Sequence, residues 1–597
     1  MNAPSTARRR AVAVSAGTVG WCLALAALVL GPVIRLGFVL RADMVFVPRQ
    51  VLLPAWLGLG PGLPRSVPQD AVVAVADLLV PGGLLQPVVL VATLSCAGGG
   101  AAWLLRRERW LVRCVAATAY VWTPFVAERL LLGNWALLVA YAVLPWAVGV
   151  ARDIRAGSSS WMAAVPLLAV AALTPTGGLL VAVVTVPIAV VRSRIRLRDR
   201  WALVLAAVLV NAPWWVAALL SPASATGTVE GSAVFALRSE GPWGPLITAL
   251  GTGGVWNSMA VPGTRGTWLA PLGTVLLLGL AALGARPVVA SLGRAAAGML
   301  ALSSAGALAW CLLGAWTVTS GLAAWLTVHV PGAGLLRDAQ KLLAPWALLL
   351  SLCVALGVHR GVCALVRRSR EPALAPVGYL GSVAALLLLL PDLAWGVGGV
   401  LHTTTYPPGW ETARVAVADE TQGDVLLLPW STYRSFPWND GTPVLDPAPR
   451  YLTRTTVADD TLVVRTHDGV VSVPGEDPRS AAIGAALRSG TLDAARLRRW
   501  GIGAVLVETD QPGPSPIPAG VVAVPLGQTG ADAHLRVYAV PGAVEDDPWA
   551  AGTWRSAIVI SVDLAAALAV ALAAIACVRE RLSGSDLLHS RRPLTEE

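Results

Sequence analysis

Arg35, Arg41, Asp43 and Arg49 follow one another closely, just after the first long apolar segment of the chain. A carboxylate flanked by guanidinium groups has the parts for two jobs. Asp43 can orient a hydroxyl nucleophile or take its proton, and Arg41 and Arg49 can grip a phosphate. The plainer reading is an interfacial acid paired with arginine for topology alone. A second constellation is ERLLLGNW, where Glu128 and Arg129 sit in a tight turn with Asn134. These residues suit either an ordered pocket or a snorkelling anchor with a structural salt bridge.

The third constellation is LLRDAQK, with Arg337, Asp338 and Lys341. If that segment is helical, Arg337 and Lys341 lie four apart and share one face. Two cations on one face suit a lipid phosphate or pyrophosphate, whose departure develops negative charge; anchoring to lipid headgroups is the alternative. Lys341 is the single lysine in a chain that otherwise uses arginine. A fourth stretch, LPWSTYRSFPWNDGTPVLDPAPRYL, mixes aromatic rings with polar neighbours, as carbohydrate sites do, or forms a loop-rich substructure against its surroundings. No Ser/His/Asp ordering, Walker loop, dinucleotide fingerprint or CxxC motif is visible.

The elements that must position these residues are set by composition. Of 597 residues, 55% are hydrophobic and 13% charged, and mean hydropathy is +0.65. That balance specifies a polytopic membrane protein. The net charge of +10 does not point to nucleic acid, because the arginines fall in short clusters between apolar segments, as cytoplasmic loops require. All seven cysteines lie in apolar segments, so neither a disulfide framework nor a zinc spacing is present.

Apolar runs at about 11–34, 84–105, 112–126, 135–150, 201–220, 268–283, 295–317, 342–358, 376–395 and 554–578 are each read as a crossing. The run 161–191, interrupted at Thr174-Pro175, is read as two broken helices. The first segment is read as a retained anchor rather than a cleaved signal. This predicts an α-helical protein of about twelve transmembrane helices with both ends cytoplasmic, since every arginine cluster agrees with that parity. Residues 1–400 form the membrane core with outer loops 35–80, 221–267 and 318–341; the first loop includes an amphipathic piece, DAVVAVADLL, suited to the interface. Residues 401–552 are predicted to be a small extracytoplasmic α/β domain, with strands at DVLLLPW, TLVVRTHDGVVSV, IGAVLVET and HLRVYAV and a helical stretch between. Residues 553–597 hold the last helix and a cytoplasmic tail.

RADMVFVPR, ERLLLGNWALLVAYAVLPW and GAGLLRDAQK resemble the C-type (GT-C) integral-membrane glycosyltransferases, especially the actinobacterial cell-envelope arabinofuranosyl- and mannosyltransferases. The likeness covers roughly residues 12–365. It implies a plasma-membrane enzyme that takes a sugar from a polyprenyl-phosphate donor and passes it to a glycan or glycolipid acceptor on the extracytoplasmic face. It also implies that Asp43 is the catalytic carboxylate and that Arg337 and Lys341 meet the phosphate, with Arg41 and Arg49 assisting. Glu128, Arg129, Asn134 and Asp338 are the candidate acceptor or pocket residues. The first loop has one well-placed Asp rather than an acidic pair, so Asp70 and Asp77 are rivals, and a divalent cation is a possible cofactor with no ligands assigned. Two other functions fit the composition: a flippase or exporter of a lipid-linked saccharide, and a non-catalytic scaffold of envelope assembly. A flippase predicts ionisable residues along a path through the bilayer, and these spans contain almost none.

Overall fold

The computed structural model describes residues 3–223, 228–466, 469–513, 515–526 and 534–589. The end of the expected tail, residues 590–597, lies outside the described residues. Among them, eight helices are long and apolar enough to cross a membrane, and two bent helix pairs bring the number to ten. The bent pairs are Trp110–Val121 with Pro124–Leu131, at 42°, and Leu374–Leu388 with Pro391–Gly398, at 78°. Proline opens the second helix of each pair, where a missing N–H costs nothing. The remainder of the expected twelve are the short helices Trp161–Ala171 and Pro175–Val190. The Thr174 hydroxyl ends the interruption by accepting from the Gly177 N–H at 3.1 Å.

Small residues and buried polar pairs fasten the bundle. A Cβ on Gly284 would fall 1.8 Å from the Cys353 carbonyl and one on Gly357 1.9 Å from that of Leu280. The helices Leu269–Leu292 and Ala344–Ser369 therefore touch backbone to backbone. Tyr120 and Tyr141 stack at 4.0 Å, and each hydroxyl donates to the other's carbonyl, at 2.8 and 2.7 Å. That reciprocal pair ties Trp110–Val121 to Trp135–Arg155.

Among the described residues, the chain after residue 401 has nine strands: β1 (Asp424–Leu428), β2 (Tyr433–Ser435), β3 (Pro443–Leu445), β4 (Thr456–Val457), β5 (Leu462–Thr466), β6 (Gly469–Val473), β7 (Ile502–Glu508), β8 (Val522–Val524) and β9 (Leu535–Ala539). Five make one sheet in the order β4-β1-β7-β9-β8, with β1 parallel to β4 and β7 and the pairs to β9 antiparallel. Every residue of β7 is buried, as expected for a strand covered on both faces. Leu426 and Leu428 share a core with Ile483 and Leu497, while Val425 and Leu427 share one with Trp410 and Val417. The helices Pro478–Arg488 and Ala494–Arg499 thus cover one face and Pro408–Glu420 the other. β2 pairs with β3, and β5 with β6, outside this sheet.

The sheet domain is sewn to the loop that follows the first helix. Phe38 and Thr404 exchange backbone bonds at 2.8 Å, Tyr406 donates to the Phe46 carbonyl at 2.9 Å, and Arg450 pairs with Asp70 at 2.9 Å. Phe436, Trp438 and Tyr451, three of the aromatic residues of the fourth stretch, make this seam, the second of the two readings the sequence allows. Tyr406, Trp410, Phe436, Trp438 and Tyr451 pack ring against ring with centroids 4.7–6.1 Å apart. Burying rings of that size gains more than leaving them on a wet surface. The helices that run down from this end finish near Arg106 and Arg107, Arg152 and Arg155, and Arg367 and Arg368. The arginine clusters and the sheet domain therefore occupy opposite ends of the bundle.

Candidate functional site

Arg41 and Met44 bond to each other across a tight two-residue turn: Met44 N donates to the Arg41 carbonyl at 2.8 Å and Arg41 N to that of Met44 at 3.2 Å. Ala42 and Asp43 form the tip. Ala42 has φ +46°, a left-handed conformation that an L-residue with a Cβ adopts only under constraint. The constraint comes from β3, where Ala42 N donates to Pro443 O and Leu445 N donates to Ala42 O, both at 2.8 Å. From below, Gly133 has φ +71°, and a Cβ there would lie 2.2 Å from Met44 N. Only glycine lets the two loops approach this closely.

The Asp43 side chain is exposed but opens into a cavity of about 720 Å³. Each of its oxygens receives one bond: Tyr433 Oη donates to Oδ1 at 2.7 Å and Asn134 Nδ2 to Oδ2 at 2.9 Å. Asn134 is held in turn because Arg129 Nη1 donates to its Oδ1 at 2.9 Å. Arg129 is fully buried, forks onto Asp338 at 2.8 and 2.9 Å, and donates from Nε to Gln340 Oε1 at 2.6 Å. Lys341 Nζ lies 3.4 Å from the same Asp338 carboxylate, with about a quarter of its side chain exposed. A continuous polar chain thus runs from Lys341 through Asp338, Arg129 and Asn134 to Asp43 and Tyr433. Burial alone would raise the Asp338 pKa, but Arg129 and Lys341 outweigh it and hold the group below the usual carboxylate range.

The segment before the helix Ala344–Ser369 is two 3₁₀ turns, Ala333–Leu336 and Ala339–Leu343, not the continuous helix that would put Arg337 and Lys341 on one face. Asp338 breaks it, with φ −80° and ψ 80°, because its carboxylate turns inward to meet Arg129. Both cations still line the cavity, with different partners. Arg337 lies over the Phe235 ring, 4.7 Å from its centroid, and 3.6 Å from Glu476, which Arg65 also engages at 2.6 Å.

Several expected site residues lie elsewhere. Arg41 donates to the Leu131 and Met259 carbonyls at 3.1 and 3.3 Å, and neither it nor Arg49 lines the cavity. Glu128 is buried, accepts from Val255 N at 3.0 Å, and belongs to a cluster with Glu240 and Arg265, which pair at 2.6 Å. Of the rival acids, Asp70 is buried against Arg450, and Asp77 accepts from Gln50 N at 2.8 Å. Tyr433, Gln340, Arg65 and Glu476 were not singled out from sequence. Gln340 and Tyr433 stand inside stretches that were, but nothing local reveals which way either side chain faces.

Among the described residues no three His, Cys, Asp or Glu side chains converge as metal ligands. The acids on the sheet-domain wall are already committed: Asp460 accepts from Glu476 N and Asp477 N at 2.6 and 2.8 Å, and Asp477 caps the helix Pro478–Arg488. Metal ligation by these two acids would compete with those backbone bonds.

No family model and no curated protein sequence matches the chain. Solved structures do match, among them two of the arabinofuranosyltransferase AftD from Mycobacteria. The first has TM-score 0.52 at 18% identity over 90% of this chain and 40% of AftD; the second, a mutant form, has TM-score 0.50 at 16% identity over 91% and 42%. The chain spans about two-fifths of the length of that protein. At this identity the likeness is one of fold: the chain is a multi-pass membrane protein with a GT-C-like architecture.

Proposed function

We propose that the chain is a membrane glycosyltransferase that moves a sugar from a polyprenyl-phosphate donor to a hydroxyl of a cell-envelope glycan or glycolipid. The observation that carries this reading is the strained turn that presents Asp43 to a cavity shared with Lys341, on a GT-C-like fold. The acceptor oxygen attacks the anomeric carbon as the bond from that carbon to the phosphate oxygen breaks, and the configuration inverts. The acceptor proton passes to Asp43, and the polyprenyl phosphate departs with the electron pair. Lys341 offsets the charge that develops on the leaving oxygen, and Arg337 is available once it releases Glu476. The positive-inside bias assigns the arginine-rich ends to the cytoplasm, so the cavity and the sheet domain face outward in the plasma membrane, with both termini inside.

The test is transfer by the purified chain alone. Proteoliposomes given a radiolabelled polyprenyl-phosphoryl sugar and an envelope glycan acceptor are expected to yield labelled glycan. Movement of the donor between leaflets without labelled product would favour a flippase, and neither activity would favour a scaffold.

A further inference from the structure

We infer that Tyr433 is a positioning residue of the reaction centre, so that the sheet domain completes the site by fixing the Asp43 carboxylate. This rests on the reading of Asp43 as the reacting acid. The inference begins with the turn: a carboxylate at the tip of a two-residue loop would rotate among rotamers unless held from outside. Asn134 holds one oxygen from the membrane side and Tyr433 the other from the sheet domain. Each oxygen keeps acceptor capacity for a substrate hydroxyl.

The hold from the sheet domain is built rather than incidental. Tyr433 opens β2, and its neighbour Arg434 is buried between Asp446, at 2.7 Å, and Glu508. Ser435 N donates to Gln511 Oε1 at 2.8 Å, so the strand is fixed on both sides of its cavity-facing residue. β2 pairs with β3 in the register Tyr433 opposite Leu445, and Leu445 N is the donor that grips Ala42. One short hairpin thus clasps the backbone of the turn and the side chain at its tip. A phenol packed only for its ring area has no need to aim its hydroxyl at an exposed carboxylate.

The charged surroundings are compatible with this role. Asn134 carries the Arg129–Asp338–Lys341 series toward Asp43 from below. Arg65 acts on Tyr433 from the first loop, Arg41 on the turn itself points away to two carbonyls, and Asp446, Asp459 and Asp460 line the same cavity from the sheet domain. Burial, reinforced by Asp43, pushes the Tyr433 phenol well above its ordinary value, so it stays protonated and acts as donor. The phenol therefore donates to the Asp43 carboxylate rather than accepting a proton from it.

The experiment substitutes Tyr433 in two opposite directions in the full chain in proteoliposomes. Tyr433→Phe is expected to lower kcat at least about ten-fold with the donor KM within about two-fold, the loss typical of one hydrogen bond to a charged group. The acid limb of its pH–rate profile should move up by about one unit. Trifluorotyrosine at position 433, a stronger donor, should move that limb down. Infrared titration of the Asp43 carboxylate, identified by the band lost in Asp43→Asn, should shift in the same two directions. An unmoved band and an unmoved limb, or a change confined to KM, would overturn the inference. If no variant transfers sugar but the band shifts as stated, the positioning role stands and the transferase reading fails.

Discussion

Arg129 and Asp338 lie 209 residues apart in the chain and meet as a side-by-side fork, with Nη1 2.8 Å from Oδ2 and Nη2 2.9 Å from Oδ1. This geometry aims one end of the polar series at Asp43 and sets the other end at Lys341. The fork consumes both Asp338 oxygens, and the remaining donors of Arg129 reach Asn134 and Gln340. The Asn134 amide can then present only its N–H groups to Asp43.

Arg129→Met leaves the buried Asp338 carboxylate with only the longer Lys341 contact, so it is expected to destabilise the protein by up to about 3–5 kcal/mol. Arg129→Lys restores charge but not the fork and should recover only part of the loss. Thermal unfolding of the detergent-solubilised chain, followed by tryptophan fluorescence, checks the order wild type, Lys, Met.

The Asp338 carboxyl is held below its ordinary value of 3.8, so the stability it contributes is complete above that pH. It is lost as the pH falls through the lower folded value. The gap in unfolding midpoint between wild type and Asp338→Asn should be flat from neutral pH down to about 4 and narrow below it. Taking the difference cancels the other buried acids, so a gap constant to about pH 2 would contradict the assignment.

Lys341 and Arg337 both face the cavity, but Arg337 is engaged by Glu476 and Phe235 whereas Lys341 retains exposed surface beside Asp338. Lys341→Gln should therefore reduce kcat/KM for the donor by about a hundred-fold, the scale set by removing one group that stabilises a developing anion. Arg337→Gln should have the smaller effect. Steady-state kinetics with a polyprenyl-phosphoryl sugar ranks the two.

Gly133→Ala would force a Cβ to within 2.2 Å of Met44 N and 2.6 Å of the Arg41 carbonyl, at φ +71°. The turn must shift. The global cost should be about 1–3 kcal/mol, with activity falling far more than stability because Asp43 is displaced. Circular dichroism melts beside turnover separate the two losses.

The membrane architecture was legible in the sequence because hydrocarbon thickness and positive-inside charge are one-dimensional signals. β1, β7 and β9 were legible for a similar reason: their apolar runs exceed the length of a turn. The two-residue β4 and the three-residue β2, β3 and β8 carry too few residues to show a period. β2 and β3 are the strands that meet the Asp43 turn, so the contact with Tyr433 was hidden although both residues lie in stretches singled out for their chemistry. Arg41 and Glu128 show the opposite case, conspicuous in sequence but engaged away from the cavity. Charge at a membrane edge is conspicuous in sequence, but engagement by a carbonyl or by another acid depends on contacts from loops far along the chain, Met259 and Glu240 in these cases.

The central claim is that Asp43 takes the acceptor proton within the cavity it shares with Lys341. Its most direct test is turnover of a labelled polyprenyl-phosphoryl sugar by proteoliposomes carrying Asp43→Asn, a change that keeps the shape of the side chain and removes its charge. The account predicts a loss of about a hundred-fold or more in kcat, with donor binding and the unfolding midpoint close to wild type. Turnover equal to wild type in that variant would contradict it.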